Sequence, residues 1–456
     1  MAGAVEGLLM AAHILTPCGW EGGHILDSAL DAIAQRTSFA QAHRWSSIIG
    51  TGANTIQDAE AGGKVRAGGG RYAYGLTANL FQGVSQSVSG VAYGGSVIWW
   101  GGWIGFGYPE NIAAVTAGDD YVLFTTGPAV NPGGTKKHPG FGIQVEDLDA
   151  GNGYANPKFR FQAYLLKTDG TIDAIVVIPF GLNLPFGTGS DVNWYWVQLE
   201  ITTATGAYKL YVKPDGGSET SGMGTNTDAN AEYLSSWVPE FLLSGAKGQA
   251  PNCLLVFDDF CSADNASSGT RPDSTYVEIG HQPAGDITGE DDFAGIGDTV
   301  NKYRNWDDKN DLAPSTDDEN TPAGVGDTQV STIVNKKAAG SVEAVTLVFA
   351  SNSAHTIRAR TGGDYQEYTS PSRGYNGLKD WYGKVFDKTP DSPQATWSNA
   401  LFDLLEAGVK AIDTEPVGEF YALAFGPSLE RPDKTPAVPR SFVIPRHRQL
   451  NTLLRM

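Results

Sequence analysis

Residues 193–212 read NWYWVQLEITTATGAYKLYV, and this stretch decides the fold class. Apolar and polar residues alternate over 193–201 and again over 207–212, with a Thr-Gly turn at 205–206 between them. A period of two indicates strands with one buried face, and the short turn predicts an antiparallel hairpin. The alternation places Trp194 and Trp196 on one face of the strand and Tyr195 on the other.

The same pattern recurs on both sides of this hairpin. RFQAYL at 160–165 alternates, TDGT at 168–171 supplies a turn, and a β-branched run follows over 172–178. The stretch CLLVFDDF at 253–260 predicts an apolar strand that has two aspartates near its end. Many short strands without long helices between them predict a mainly β chain that begins with an antiparallel jelly-roll sandwich.

Shifts in composition divide the chain into five parts. They are an N-terminal segment (1–40), the jelly roll (41–270), an acidic linker or insertion (271–327), a smaller β-rich domain (328–428) and a basic, proline-containing arm (429–456). Strand patterns at 328–334, 342–350 and 355–360 predict the smaller domain. It is expected to carry a helix at 397–407, capped by Thr396 or Ser398 and ended by Gly408. A second short helix is predicted at 25–36.

Charge and composition exclude several function classes. The net charge of −19 disfavours nucleic acid as a partner, because a duplex-binding protein must neutralise phosphates. The longest apolar stretch, VIWWGGWIGF at 97–106, is about half of the roughly 20 residues that a spanning helix needs, so no membrane insertion is expected. Cys18, Cys253 and Cys261 are expected to be buried thiols, and the N-terminus carries no secretory pattern.

Motifs of known enzymes are missing from the sequence. It contains no G-x-S-x-G elbow, Walker loop, H-E-x-x-H or C-x-x-C, and its seven histidines are scattered. Asp147 and Asp149 have the spacing of a paired acid on one strand, but Gly151 and Gly153 follow at once, which indicates a turn. We therefore expect no catalytic residues, no enzymatic activity and no cofactor.

Eleven acidic and three basic residues lie between positions 286 and 320. DDKND at 307–311 and DDEN at 317–320 offer oxygen ligands of the kind that calcium prefers, yet neither has the spacing of a known cation loop. The expectation is a solvated acidic loop without a metal site, with calcium left open as the alternative.

Tryptophans supply the other candidate chemistry. An exposed ring can stack on a sugar, whereas paired tryptophans on a sandwich strand are more often core. The candidate glycan-binding residues are Trp99, Trp103, Trp194 and Trp196.

From Arg431 to Met456 the arm has six basic residues, one acidic residue and prolines at 432, 436, 439 and 445. Prolines hold an extended path without ladder donors, so an arm that docks on a neighbouring subunit is expected. The candidate assembly residues are Arg440, Phe442, Ile444, Arg446, Arg448 and Leu453.

The order of several short motifs resembles a family of virion proteins. In the first part these are GGGRYAYGL at 68–76, WVQLE at 196–200 and FDDF at 257–260. In the second part they are TYVE at 275–278, WDD at 306–308, VGD at 325–327, TW at 396–397 and EAGVK at 406–410. This order is similar to that of structural virion proteins of tailed bacteriophages that begin with a concanavalin- or laminin-G-like jelly roll.

The resemblance implies a non-enzymatic, tail-associated component of a phage particle, at a tail tip, fibre or adhesin. Its expected partners are other virion proteins, copies of itself in a trimer or hexamer, and a host-surface glycan. Its expected location is the virion, after assembly in the host cytoplasm. Two alternatives remain open at this point: a decoration protein on the capsid surface, and a jelly-roll polysaccharide-binding protein or glycoside hydrolase.

Overall fold

The structure is a computed structural model that describes part of the 456-residue chain. The described residues are 13–19, 42–44, 47–49, 54–58, 66, 72–77, 83–85, 94–109, 112–126, 137–167, 172–177, 184–188, 191–225, 240–242, 254–266, 270–306, 319–333, 340–370 and 380–429. Within these ranges no helix is both long enough and apolar enough to cross a bilayer.

The first unit is an antiparallel jelly-roll sandwich of two eight-stranded sheets. Sheet I has the order β14-β13-β12-β6-β16-β4-β3 with β1 paired to β16, and sheet II has the order β10-β9-β8-β7-β15-β5-β2 with β11 paired to β9. The strands are β1 (His13–Ile14), β2 (Ser47–Ile49), β3 (Asn54–Asp58), β4 (Tyr72–Thr77), β5 (Gly83–Ser85), β6 (Val97–Phe106), β7 (Asp120–Thr125), β8 (Lys137–Asp147), β9 (Lys158–Lys167), β10 (Ile172–Val177), β11 (Leu184–Pro185), β12 (Asn193–Thr202), β13 (Ala207–Pro214), β14 (Thr220–Thr225), β15 (Glu240–Leu242) and β16 (Leu254–Asp264).

Both predicted hairpins are present. Strand β9 pairs antiparallel with β10, and β12 pairs antiparallel with β13. The predicted fold class is therefore confirmed. Between the two sheets lies an aromatic core whose rings meet mostly edge to face, the geometry that aromatic quadrupoles favour. Its members are Phe106, Phe159, Phe161, Phe186 and Tyr195.

The second unit has a six-stranded and a five-stranded sheet. Sheet III has the order β19-β20-β27-β22-β25 with β17 paired to β27, and sheet IV has the order β18-β21-β26-β23-β24. The elements are β17 (Tyr276–His281), β18 (Pro283–Asp291), β19 (Ala294–Ile296), β20 (Glu319–Thr321), β21 (Thr328–Ile333), β22 (Ala344–Ser351), β23 (Thr356–Arg360), β24 (Gln366–Thr369), β25 (Asp380–Phe386), α1 (Asn399–Phe402), β26 (Glu406–Lys410) and β27 (Val417–Pro427).

Sheet III is buried on both faces. Along β22 the side chains of Val345, Leu347 and Phe349 join the core of the second unit. The side chains of Val348 and Ala350 join the core that includes the first unit. A continuous apolar run is what a strand covered on both sides requires. The two units therefore pack directly against each other through sheet III.

The acidic stretch differs from its prediction as a linker or insertion. Residues 276–281 and 283–291 form β17 and β18, which pair with β27 and β21. Hydrogen bonding explains how a polar segment joins the sheets, because Asp286 accepts from the backbone N–H of Tyr303 and from Gln329 Nε2. The second unit thus begins near residue 276.

The helix predicted at 397–407 spans only Asn399–Phe402. Ser398 caps it as predicted, accepting a hydrogen bond from the N–H of Leu401. Gly408 is not a helix end, because it lies in β26 opposite Val330 on one side and Arg358 on the other. A single turn has little stability of its own, so pairing with two strands prevails from Glu406 onward.

The prediction of buried thiols can be checked for two of the three cysteines. Cys18 and Cys261 are buried thiols, as expected. Cys253, the helix predicted at 25–36 and residues 430–456 lie outside the described residues. These last residues include the candidate assembly residues Arg440, Phe442, Ile444, Arg446, Arg448 and Leu453.

Candidate functional site

The four candidate tryptophans share the outer face of sheet I. Trp196 lies directly opposite Trp103 in the β12–β6 ladder, and their rings are 5.9 Å apart. Trp99 lies opposite Glu200, and Trp194 lies opposite Gly105. The prediction that Trp194 and Trp196 point to one side of the strand is confirmed.

These rings are covered by the second unit and cannot act as a sugar platform. Their exposed fractions are 5% for Trp99, 2% for Trp103, 8% for Trp194 and 0% for Trp196. They pack in one cluster with three residues of sheet III, Tyr276, Ala344 and Phe425. Stacking on a sugar needs an open ring face, so the glycan-binding role predicted for these four side chains does not hold. Their role is to join the two units.

A half-exposed polar rim begins where this covered face ends. Glu200 Oε2 accepts two hydrogen bonds, one from the indole Nε1 of Trp99 at 2.9 Å and one from the hydroxyl of Tyr211 at 2.9 Å. Within the described part of the chain, Glu200 Oε1 receives no hydrogen bond. The carboxylate is therefore fixed in orientation by one oxygen and still able to accept through the other.

Cations surround the ring of Tyr211. The guanidinium carbon of Arg271 lies 3.7 Å from the ring centroid, and Lys209 Nζ lies 4.5 Å from it. Burial and then the Glu200 carboxylate raise the pKa of Tyr211, so its hydroxyl stays protonated and donates to Glu200. Arg271 is held by Gln198 Oε1 at 2.9 Å and by Glu219 Oε1 at 2.7 Å.

Three strands present the rim as a row across the sheet. Glu200 on β12 is opposite Lys209 on β13, which is opposite Met223 on β14. Met223 is 68% exposed. A carboxylate acceptor, an ammonium donor and an apolar thioether thus follow one another at the spacing of neighbouring strands, with Tyr211 and Arg271 beside them. We call these five residues the Glu200 rim.

The acidic pair at the end of β8 is used within a turn. Asp147 Oδ1 accepts from the backbone N–H of Asp149 at 2.8 Å. Asp149 has a φ of 53° and accepts from Asn152 Nδ2 at 2.8 Å and from the N–H of Asn156 at 3.0 Å. The predicted turn is confirmed, and both carboxylates stabilise it.

A buried ionic cluster crosses the junction of the units. Arg66 Nη2 donates to Asp259 Oδ2 at 3.2 Å, and the backbone N–H of Glu278 donates to Asp259 Oδ1 at 2.8 Å. Glu278 Oε2 accepts from the N–H of Gly19 at 2.8 Å, and His43 Nε2 lies 3.5 Å from Glu278 Oε1. Desolvation raises the pKa of Asp259 to about 6. All four side chains are buried, so the cluster is closed to a substrate.

A second polar contact joins the units near the N-terminus. His13 Nδ1 lies 2.7 Å from Asp264 Oδ1 on β16, and His13 Nε2 lies 2.9 Å from Asp387 Oδ2 just after β25. Hydrogen bonds to these two carboxylates raise the pKa of His13 to about 9. Arg44 donates to the carbonyls of Leu15 and Val385, so it bridges the same seam.

The outer face of sheet IV carries a network of salt bridges. Arg358 and Arg360 place their guanidinium carbons 4.4 and 4.1 Å from the ring centroid of Tyr365. Arg358 makes two hydrogen bonds to Glu290, at 2.9 and 2.7 Å, and Arg360 Nε donates to Glu406 at 2.8 Å. These groups satisfy one another, which favours a structural role over ligand binding.

The structure places no metal centre among the residues that it describes, since no three histidine, cysteine, aspartate or glutamate side chains there are grouped to hold an ion. The stretch 307–318, which contains most of the calcium candidates, lies outside the described residues. Glu319 and Asn320 lie in β20, where Asn320 bonds to Asn305 and to the carbonyl of Lys302.

Sequence reasoning missed the Glu200 rim, although three of its five residues have a signal in the sequence. Alternation along 193–201 and 207–212 places Glu200, Lys209 and Tyr211 on the outer face together with the tryptophans. Arg271 lies in the stretch predicted as a linker, and nothing in the sequence places it over the ring of Tyr211.

No family model matches the sequence, and no curated protein matches it. Among solved structures, the chain is similar to the marine PL-14 alginate lyase from Aplysia kurodai, with 11% identity and a TM-score of 0.34, over 55% of this chain and 98% of that chain. It is also similar to peanut lectin, with 13% identity and a TM-score of 0.27, over 47% of this chain and 92% of that chain. The binding domain of Paraclostridial Mosquitocidal Protein 1 shows 12% identity and a TM-score of 0.30, over 80% of this chain and 65% of that chain. Similarities this low carry no argument about function.

Proposed function

We propose that the protein is a non-catalytic carbohydrate-binding protein and that a neutral sugar binds at the Glu200 rim. The observation that carries this proposal is the state of the Glu200 carboxylate. One of its oxygens is fixed by Trp99 and Tyr211, and the other receives no hydrogen bond from the described residues. An acceptor that is already oriented loses little freedom when a sugar hydroxyl binds to it.

The neighbours of Glu200 match the remaining surface of a sugar. Lys209 supplies a donor beside the carboxylate, and the exposed Met223 supplies an apolar contact for C–H groups. A few fixed polar groups next to an apolar surface are typical of small-ligand sites.

Charge supports a neutral ligand over a charged one. The net charge of −19 repels uronates, phosphates and sulfates at long range. Lys209 and Arg271 lie next to Glu200 and oppose the approach of a cationic amino sugar. Neither repulsion acts on a neutral hexose or N-acetylhexosamine.

The test is binding of the full chain to immobilised oligosaccharides that end in glucose, galactose, mannose or N-acetylglucosamine. Glu200→Gln keeps one acceptor oxygen but loses the charge, so we expect affinity to fall about 10-fold, equivalent to one charge-assisted hydrogen bond. Asp215→Asn, in the exposed turn between β13 and β14, is the matched control and should bind as the wild type does. Equal binding by Glu200→Gln and the wild type would reject the site.

The setting of this activity is proposed from the sequence resemblance: a tail-associated component of a phage virion, for which a host-surface glycan is a natural ligand. Mass spectrometry of gradient-purified particles should find the chain in a fixed ratio to the major proteins, and its absence would reject the virion assignment while leaving glycan binding intact. Incubation with a bound oligosaccharide should release no reducing ends.

A further inference from the structure

We propose that Arg271 is a gate over the Glu200 rim: its guanidinium occupies the face of Tyr211 on which a sugar stacks, and it must swing out for tight binding. This inference rests on the proposed function and concerns the regulation of the same site. The gate is a contact between the segment that connects the two units and the outer face of sheet I.

Arg271 and a sugar compete for one place. Its guanidinium carbon lies 3.7 Å from the centroid of the Tyr211 ring. Carbon atoms in optimal contact are also about 3.5–4.0 Å apart, so a pyranose C–H face stacked on this side of the ring would occupy the same layer. The two cannot be present together. In the present conformation, a sugar at Glu200 can reach only the edge of the rim.

The movement uncovers a second polar group. Gln198 lies directly opposite Tyr211 in the β12–β13 ladder, and its Oε1 accepts from Arg271 Nη1 at 2.9 Å. Gln198 Nε2 is buried and has no hydrogen-bond partner among the described residues. A buried donor without an acceptor is unfavourable, so a ligand oxygen that accepts a hydrogen bond from Gln198 Nε2 would bind favourably. With Arg271 displaced, the carboxamide of Gln198 offers a donor and an acceptor to a pair of neighbouring hydroxyls.

The open rim would then hold three kinds of group that together suit a sugar ring. Tyr211 presents an aromatic face, Gln198 a bidentate amide and Glu200 a fixed carboxylate. Aromatic stacking with a few converging polar groups gives both affinity and orientation. The closed rim presents only the carboxylate, the ammonium of Lys209 and the thioether of Met223.

The ion pair between Arg271 and Glu219 is weak, and it can be removed without changing the other contacts of Arg271. Glu219 Oε1 accepts from Arg271 Nη2 at 2.7 Å, and the side chains of Arg271 and Glu219 are 20% and 30% exposed. Ion pairs this close to solvent hold their partners loosely. Removing Glu219 touches neither the ring of Tyr211 nor the amide of Gln198. The sandwich also contains a matched pair elsewhere, Arg160 with Glu146, again at 2.7 Å.

The experiment measures binding of the full chain to the four neutral oligosaccharides named above. Arg271→Ala should raise affinity about 5- to 10-fold by exposing Tyr211, and Glu219→Gln should raise it about 2-fold, the size of one exposed ion pair. Glu146→Gln, the matched control, should change nothing. A measurement without sugar accompanies these experiments. Hydroxyl-radical footprinting reports the solvent exposure of the Tyr211 ring, and its oxidation, read by mass spectrometry, should be faster in Arg271→Ala.

The outcomes separate the gate from the proposed function. If Glu200→Gln loses binding and Arg271→Ala also loses it, the site stands and the gate is overturned, because Arg271 is then a ligand-binding donor. If only Arg271→Ala binds sugar, the gate is supported. If neither the wild type nor any variant binds, both proposals fail. Unchanged oxidation of Tyr211 by hydroxyl radicals in Arg271→Ala would also overturn the gate, because the ring would then be covered by another group.

Discussion

Asp259 on β16 and Glu278 on β17 meet across the junction of the two units, where the backbone N–H of Glu278 donates to Asp259 Oδ1 at 2.8 Å. Asp259 has a φ of 48° and lies where the β16–β6 register shifts, between Asp258 and Cys261. The extra residue of this bulge turns the Asp259 carboxylate toward the second unit. The bulge therefore places a charged group inside the interface.

The first prediction concerns the pH dependence that follows. Desolvation raises the pKa of Asp259 from 3.8 to about 6, so the folded chain binds this proton more tightly than the unfolded chain does. The contribution of Asp259 to the free energy of unfolding is highest below about pH 4, and it falls as the pH rises to 6, by roughly 2–3 kcal/mol. Asp259→Asn should therefore gain stability relative to the wild type between pH 4 and pH 7.

Urea unfolding of both proteins across this range measures that difference. Met223→Ala, which removes an exposed side chain that does not titrate, is the control and should show a flat difference from the wild type. A flat difference for Asp259→Asn as well would contradict the raised pKa of Asp259.

The second prediction tests the role of the tryptophan face. Trp196 is fully buried against the second unit, so Trp196→Ala should lower the free energy of unfolding by about 3–5 kcal/mol. Met223→Ala, at a side chain that is 68% exposed on the same sheet, should change it by less than about 0.5 kcal/mol. Denaturant unfolding distinguishes the two. A loss below about 1 kcal/mol for Trp196→Ala would show that sheet III does not cover this ring.

The third prediction concerns the glycines inside VIWWGGWIGF on β6. A Cβ added to Gly102 would lie 2.2 Å from the Cβ of Phe260 and 2.4 Å from its Cα. Gly102→Ala should therefore destabilise the protein by about 2–3 kcal/mol through overpacking. Gly151→Ala is the control, because a Cβ there meets no atom within 4 Å. Equal midpoints of thermal unfolding for the two variants would contradict the close approach of Phe260.

How far the sequence predicts the fold depends on whether the information is local. The hairpins, the shared face of Trp194 and Trp196 and the cap at Ser398 follow from patterns within a few residues, and all three are present. Which surface covers the tryptophans is not local information. Strand β22 provides a hint, because its apolar run is typical of a strand buried on both faces, but the run does not identify the partner sheet.

In the candidate site, too, local sequence patterns place some residues and only the tertiary fold places the others. Glu200 and Tyr211 are on predicted strands, and their proximity follows from the register of the predicted hairpin. Arg271 reaches them from a segment whose composition indicates a linker, and only the docking of the second unit brings it there. The stacking role assigned to the tryptophans was wrong because an aromatic pattern predicts a shared face without showing whether that face is open.

The last prediction concerns His13, which joins the units through Asp264 and Asp387. Its pKa is raised from 6.5 to about 9, so the stabilisation from charged His13 is fully present below about pH 6.5 and is lost as the pH rises through 9. His13→Gln should lower the free energy of unfolding by about 1–2 kcal/mol at pH 6, a value reduced for partial exposure, and by much less at pH 10. Asp387→Asn, which removes one of the two carboxylates, should weaken the same dependence. The pH range over which the His13 contribution is lost lies above the range for Asp259. Urea unfolding between pH 6.5 and 10 therefore measures the His13 contribution separately from that of Asp259. A difference between His13→Gln and the wild type that stays constant over that range would show that His13 does not hold its proton at this seam.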